Sequence, residues 1–308
     1  MLCAYVTHAD CLRHEMGPDH PECPARLAAV HDQLLIKGLL DHMGVVDAPL
    51  ATEAQLARAH SPSYIRELIS MAPSEGLRQV DPDTAMNPYT VTAALRAAGA
   101  VVCATDLVLG GETPAAFCCV RPPGHHAERA AAMGFCFFNN VAVGIRHALA
   151  VHGLQRIALI DFDVHHGNGS EDIFRGDEHV LMCSIFERGL YPFSGDEAIG
   201  PNMVNVGLPP RSGGEKFREA VTTHWLPALE AFDPQLIYVS AGFDGHREDD
   251  MGNLALVEAD YAWVTTQIMA VAQRHCHGRV ISCLEGGYAL SALGRSAAAH
   301  VRVLIGAD

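Results

Sequence analysis

The segment Asp161-Phe162-Asp163-Val164-His165-His166-Gly167-Asn168-Gly169 closes an apolar run, and the period of two in a strand aims Asp161, Asp163 and His165 to one side. Two carboxylates and an imidazole suit Zn²⁺ or another divalent first-row metal, while the glycines let the chain turn away at once. The same spacing also suits a hydrogen-bonded polar strand end. Ala241-Gly242-Phe243-Asp244-Gly245-His246 sets a further carboxylate after another apolar run, so Asp163, His165 and Asp244 make three protein ligands. Three ligands leave a position for water and substrate, as in a catalytic rather than a structural zinc site. His246 is an alternative ligand that reads better as an exposed loop histidine.

Arg121-Pro122-Pro123-Gly124-His125-His126 presents tandem imidazoles in a loop stiffened by prolines, a candidate acid/base pair because histidine titrates near neutral pH. Asp161 is placed to orient one imidazole and Asn168 the other. Leu284-Glu285-Gly286-Gly287-Tyr288 ends a fourth apolar run, and the Tyr288 hydroxyl there is placed to polarise a carbonyl. Taken alone, this motif favours a buried structural tyrosine. Its weight comes from standing fourth in a set of strand-end motifs that agree with one another.

Four motifs at strand ends require strands. Short apolar, β-branched runs predict them at 115–120, 156–162, 180–185, 235–240 and 279–284. Apolar residues at helical spacing predict helices at 90–109, 140–152, 214–232 and 256–275, with another running from Pro24 to Gly38. Strands alternating with helices imply an α/β fold with a parallel sheet, whose ligands bind beyond the carboxyl ends of the strands. No long linker, repeat or low-complexity tract interrupts the chain, so residues 1–308 are expected to form a single domain. The segment 14–26, punctuated by Pro18, Pro21 and Pro24, reads as a surface loop.

Composition narrows the partners. A net charge of −15 opposes the phosphate-neutralising surface that nucleic acid requires, and it suits a cationic substrate. Ten cysteines with an adjacent pair, no CxxC and no secretory leader read as reduced, mostly buried thiols. Charges or glycines break the apolar segments before the roughly 18 residues of a membrane span. A cytoplasmic protein without a membrane partner is expected.

The PPGHH, DxDxHHGNG, GFD and EGGY segments, with His20-Pro21-Glu22 and Arg26-Leu27 ahead of them, resemble the zinc-dependent histone deacetylase family, in its class II branch and bacterial relatives. The resemblance covers nearly the whole chain. It implies an arginase/deacetylase fold with a single eight-stranded, mostly parallel sheet flanked by helices, and hydrolysis of an acylated amine by metal-activated water. By motif it implies that Asp163, His165 and Asp244 hold one Zn²⁺, that His125 and His126 form the catalytic pair with Asp161 behind His125, and that Tyr288 polarises the carbonyl. Phe135 and Tyr191 match the walls of a tunnel for the acyl-lysine stem, although both also suit a core. Ser184, with the backbones of Asp161, Asp163, His165 and Ile185, matches a monovalent-cation site that takes K⁺.

Class I members carry Asp where this chain has Asn168, and a histidine commonly stands where it has Phe186. A neutral amide supports an imidazolium less well than a carboxylate does, so His126 is expected to have a lowered pKa and to act as general base. An acylated lysine peptide or protein is the expected substrate. An acetylated polyamine is the alternative, favoured by the acidic run Glu248-Asp249-Asp250, which also reads as a solvated loop. A two-manganese ureohydrolase on the same fold requires a second aspartate where this chain has His246. An inactive acyl-lysine-binding scaffold is opposed by the presence of every ligand, both histidines and the tyrosine.

Overall fold

The computed structural model describes residues 2–307. Its strands are β1 (Cys3–Thr7), β2 (Met43–Asp47), β3 (Arg78–Gln79), β4 (Ala85–Met86), β5 (Ala115–Cys118), β6 (Ile157–Asp161), β7 (Val180–Glu187), β8 (Met203–Leu208), β9 (Leu236–Ala241) and β10 (Val280–Leu284). Eight of them form one sheet in the order β2-β1-β5-β10-β9-β6-β7-β8, and every pairing in it is parallel. The remaining two, β3 and β4, make a small antiparallel hairpin. Each residue of β5, β6, β9 and β10 is buried, as expected for strands covered on both faces.

The helices are α1 (Ala25–Ile36), α2 (Glu53–Leu56), α3 (Pro62–Ser70), α4 (Thr90–Leu109), α5 (Asn140–His152), α6 (Asn168–Phe174), α7 (Gly214–Ala220), α8 (Leu226–Phe232), α9 (Glu258–His275) and α10 (Leu290–Leu304). Local chemistry sets their ends. The Asn139 side chain accepts from Ala142 N at the start of α5, and Gly153 closes it at φ 69°, a left-handed position that costs glycine little.

The single helix expected at 214–232 is instead α7, a wide turn at Val221–Trp225, and α8. Pro227 explains the change, because it has no N–H to give to the preceding turn. The helix expected to start at 256 starts at Glu258, where Asp260 Oδ2 accepts from Val257 N at 3.0 Å. Leu256 itself is held in a bridge with His246.

Charge breaks do not keep every segment below membrane-spanning length, because α4 is long and apolar enough to cross a bilayer. In this fold it packs on α5, β1 and β5, with Gly99 set against the backbone of Pro49 so closely that an added Cβ would lie 2.0 Å from Pro49 O. The ten cysteines are free thiols, eight of them buried. The segment from His14 to Arg26 is a surface loop only in part: Glu15, Pro18 and Asp19 are exposed, but His14, Glu22 and Arg26 are fully buried.

Candidate active site

The four motifs leave the carboxyl ends of β5, β10, β9 and β6, adjacent strands in the middle of the sheet, and converge above them. His165 Nδ1 lies 3.0 Å from Asp163 Oδ1 and 3.2 Å from Asp244 Oδ2. One ligand atom from each of the three residues falls within 4.8 Å of the others, and all three residues are buried. Asp244 Oδ2 is buried without a hydrogen bond, since its approach to His165 is out of line for one.

Burial raises the Asp244 carboxyl, and the nearby Asp163 carboxylate raises it further, to about 6. Two buried carboxylates beside an imidazole, one of them with an orphaned oxygen, form a donor set that fits a divalent cation. Glycine is required around them. A Cβ on Gly242 would lie 2.0 Å from Asp163 Oδ2, and one on Gly286 would lie 2.0 Å from Asp244 Oδ2.

The two imidazoles stand side by side, with ring centroids 4.0 Å apart, in different environments. His125 Nδ1 meets Asp161 Oδ2 at 3.0 Å. Burial pulls this imidazole down, but Asp163 and Asp161 outweigh it and push its pKa up to about 10. His126 Nδ1 meets Asn168 Oδ1 at 2.7 Å. Burial, with His125 and His165 close by, holds His126 well below the ordinary histidine range, the direction expected from an amide partner.

Tyr288 is half-buried, with the Arg26 guanidinium 4.9 Å from its ring centroid. Burial raises its hydroxyl well above the ordinary phenol range, so the group keeps its proton. Among the described residues that hydroxyl has no hydrogen-bond partner, so the structural tyrosine suggested by the motif alone is not what stands here. A cavity of about 210 Å³ opens over Tyr288, His126 and His165, walled by Phe135, Tyr191 and Met251. The Phe135 ring stands edge-on to Tyr288, and Tyr191 edge-on to His126. Neither aromatic is a core residue.

Supports come from far along the chain. Glu285 Oε2 accepts from Gly124 N at 2.7 Å and His125 N at 3.2 Å, pinning the histidine loop to the end of β10. Arg26 donates to Gly287 O at 2.6 Å and to Glu285 O, while Glu22 joins Arg26 to Arg121. Burial alone would raise the Glu22 carboxyl, but Arg121, His14 and Arg26 hold it well below the usual range.

Two expectations from the loop after β9 are corrected. His246 is buried, not exposed, and its Nδ1 accepts from Glu248 N. The run Glu248-Asp249-Asp250 is not simply solvated, because Asp249 is buried and its Oδ2 accepts from Tyr288 N at 2.6 Å and Ala289 N at 2.8 Å. Asp249 therefore caps the turn that carries Tyr288. Sequence reading also missed Asp83 and Met251 at the cavity and Glu128 beside Asn168. Only the β3–β4 hairpin brings Asp83 near, and no local motif marks it.

A second group with ligand-type side chains, Asp106, His147 and His152, lies where α4 and α5 end. His147 Nδ1 takes a hydrogen bond from Arg58 at 2.7 Å, so its proton sits on Nε2, which gives it to Asp106. That leaves His147 no lone pair for a metal, whose histidine ligands need an acceptor behind them.

The family profile described as the histone deacetylase domain matches residues 20–304. The histone deacetylase-like amidohydrolase of Pseudomonas aeruginosa is 36% identical over 302 residues, covering 90% of this chain and 79% of that protein. The polyamine deacetylase HDAC10 of Mus musculus is 36% identical over 324 residues, covering 98% of this chain but 48% of the mouse protein. Among solved structures, the crystal structure of the HDA15 HD domain superposes with a TM-score of 0.92 at 31% identity, covering 99% of this chain and 88% of that one. A profile spanning the four motifs, relatives named as deacetylases and a shared sheet agree: this chain belongs to the histone deacetylase family and has the arginase/deacetylase fold.

Proposed function

We propose that residues 1–308 form one zinc-dependent deacylase domain acting on acylated lysine side chains of proteins or peptides. The observation that carries this reading is the cavity of about 210 Å³, whose aromatic walls suit an aliphatic stem and whose floor holds His126, His165 and Tyr288. Asp163, His165 and Asp244 would hold the zinc. When bound, it supplies a Lewis acid for the amide carbonyl and lowers the pKa of water.

The protein groups do the rest. His126, uncharged, takes a proton at Nε2 from the attacking water, and the protonated Tyr288 hydroxyl donates to the oxygen on which charge develops. As the C–N bond breaks, His126 gives the proton it took to the departing amine nitrogen, which releases free amine and the carboxylic acid and restores the base. His125, held charged by Asp163 and Asp161, stays protonated beside it. Phe135 and Tyr191 exclude water from the stem. The carbonyls of Asp163 and His165 take no hydrogen bond from the described residues, and Asp161 is in register with Ser184, an arrangement suited to K⁺. Free, mostly buried thiols support a reducing compartment such as the cytoplasm.

The acetylpolyamine reading is favoured by Asp83 at the cavity, a carboxylate suited to a second ammonium, and by the mouse relative's name. Turnover of an acetyl-lysine peptide and of acetylspermidine, measured on one preparation of known zinc content, separates the two. Faster hydrolysis of the peptide supports the lysine reading; preference for the polyamine overturns it.

A further inference from the structure

Asn168 supports His126 through a side chain that has two faces. If Oδ1 points at His126, the imidazole carries its proton on Nδ1 and offers a lone pair at Nε2. If Nδ2 points there instead, the proton must sit on Nε2 and the base is blocked. A carboxylate has no such choice, so an amide in this position needs something to select its orientation.

Glu128 supplies that selection. Its Oε1 lies 2.9 Å from Asn168 Nδ2, and an ionised carboxylate only accepts. The amide N–H must therefore face Glu128, and Oδ1 must face His126 Nδ1, 2.7 Å away. Glu128 is itself held. Its N donates to Ala131 O at 2.9 Å, and its carbonyl accepts from His60 Nδ1 at 2.9 Å. Asn139 N donates to His60 Nε2 at 2.9 Å, which fixes the proton of that buried imidazole on Nδ1. Two histidine tautomers are thus set in series: His60 anchors Glu128, and Glu128 orients Asn168 for His126.

We propose that Glu128 is a positioning residue that acts through Asn168 to hold His126 in the Nδ1–H tautomer required of the general base. The proposal rests on the reading of His126 as that base, and it carries its own readout.

The test is a double-mutant cycle on the zinc-loaded protein. Glu128→Ala should lower kcat by about 10- to 100-fold, at or below the low end of the roughly 10² to 10⁴-fold a positioned base contributes because His126 itself remains, with KM and zinc content unchanged. Asn168→Asp removes the choice of orientation but sets a second carboxylate against Glu128, so adding Glu128→Ala to it should cost no further rate and should recover any fall caused by the two facing carboxylates. Glu128→Gln, close in shape, should show a smaller fall, because its amide pairs with either orientation of Asn168, and it serves if the alanine variant does not fold.

Ring ¹⁵N spectra of histidine-labelled protein should report Nδ1–H at His126 in the wild type and a mixture in Glu128→Ala. An unchanged kcat, an equal fall in the Asn168→Asp background, or an unaltered tautomer would overturn the proposal. Were the wild type to hydrolyse no acyl-lysine at all, the functional reading would fail while the spectra still decided the tautomer.

Discussion

Removing one oxygen atom from Tyr288 separates catalysis from stability. Its hydroxyl has no partner among the described residues, and the contact of the ring with Arg26 survives in phenylalanine. Tyr288→Phe should therefore cost under about 0.5 kcal/mol in stability, a shift in Tm below about 2 °C. The rate should fall by about 10² to 10³-fold, or roughly 3 to 4 kcal/mol, as for loss of one donor to a developing oxyanion. Tyr64 is the internal control. Its hydroxyl donates to Phe137 O at 2.5 Å in the core. Tyr64→Phe leaves that buried carbonyl unpaired, at a cost of about 1 to 3 kcal/mol, and should leave the rate per folded molecule alone. Melting temperature, zinc content and single-turnover rate are measured on the same preparation of each variant. An unchanged rate with a lowered Tm in Tyr288→Phe would refute its catalytic placement.

Other expectations follow from the same geometry. Asp163→Ala should lose zinc and activity together, and full metal occupancy by elemental analysis would remove Asp163 from the ligand set. Gly286→Ala drives a methyl group onto Asp244 and Asp163, so it should weaken zinc retention against a chelator, whereas Gly153→Ala at the end of α5 should leave retention at the wild-type level. Burial lowers the pKa of His60 to about 4 and that of His300 to about 3, while unfolding returns both to about 6.5. Below pH 6.5 the unfolded chain binds protons that the native protein refuses, so stability falls as pH falls. At pH 5 the loss is about 2 kcal/mol for each group. Asp244 and His125, with raised pKa values, act in the opposite sense over the same window, so the check is a difference between urea midpoints at pH 7 and pH 5 for the wild type and for His300→Gln. The variant should lose less stability on acidification, and an equal change in both would place a charged imidazole at His300.

Motifs at strand ends were legible because each packs its chemistry into a few consecutive residues behind an apolar run. The helix over 140–152 was legible for the same reason, since Asn139 and Gly153 mark its ends locally. What stayed hidden is what depends on distant partners. Glu22 looks like an exposed acid until Arg121, 99 residues away, closes on it. Asp249 reads as one of three solvated acids until the chain returns 39 residues later with the amide of Tyr288. No period or composition carries such pairings. The break at 221–225 differs, because its cause is local: Pro227 has no N–H to give to the preceding turn.

The order of the sheet also bears on how the protein exchanges its amide hydrogens. The four strands that end in the site are the four in the middle, and each is paired on both sides, while β2 and β8 form the borders. Border strands open by fraying at little free energy, but the middle ones release their amides only when the core as a whole opens. Bound zinc should therefore slow exchange most in β5, β6, β9 and β10, and leave the amides of β2 and β8 close to their metal-free rates.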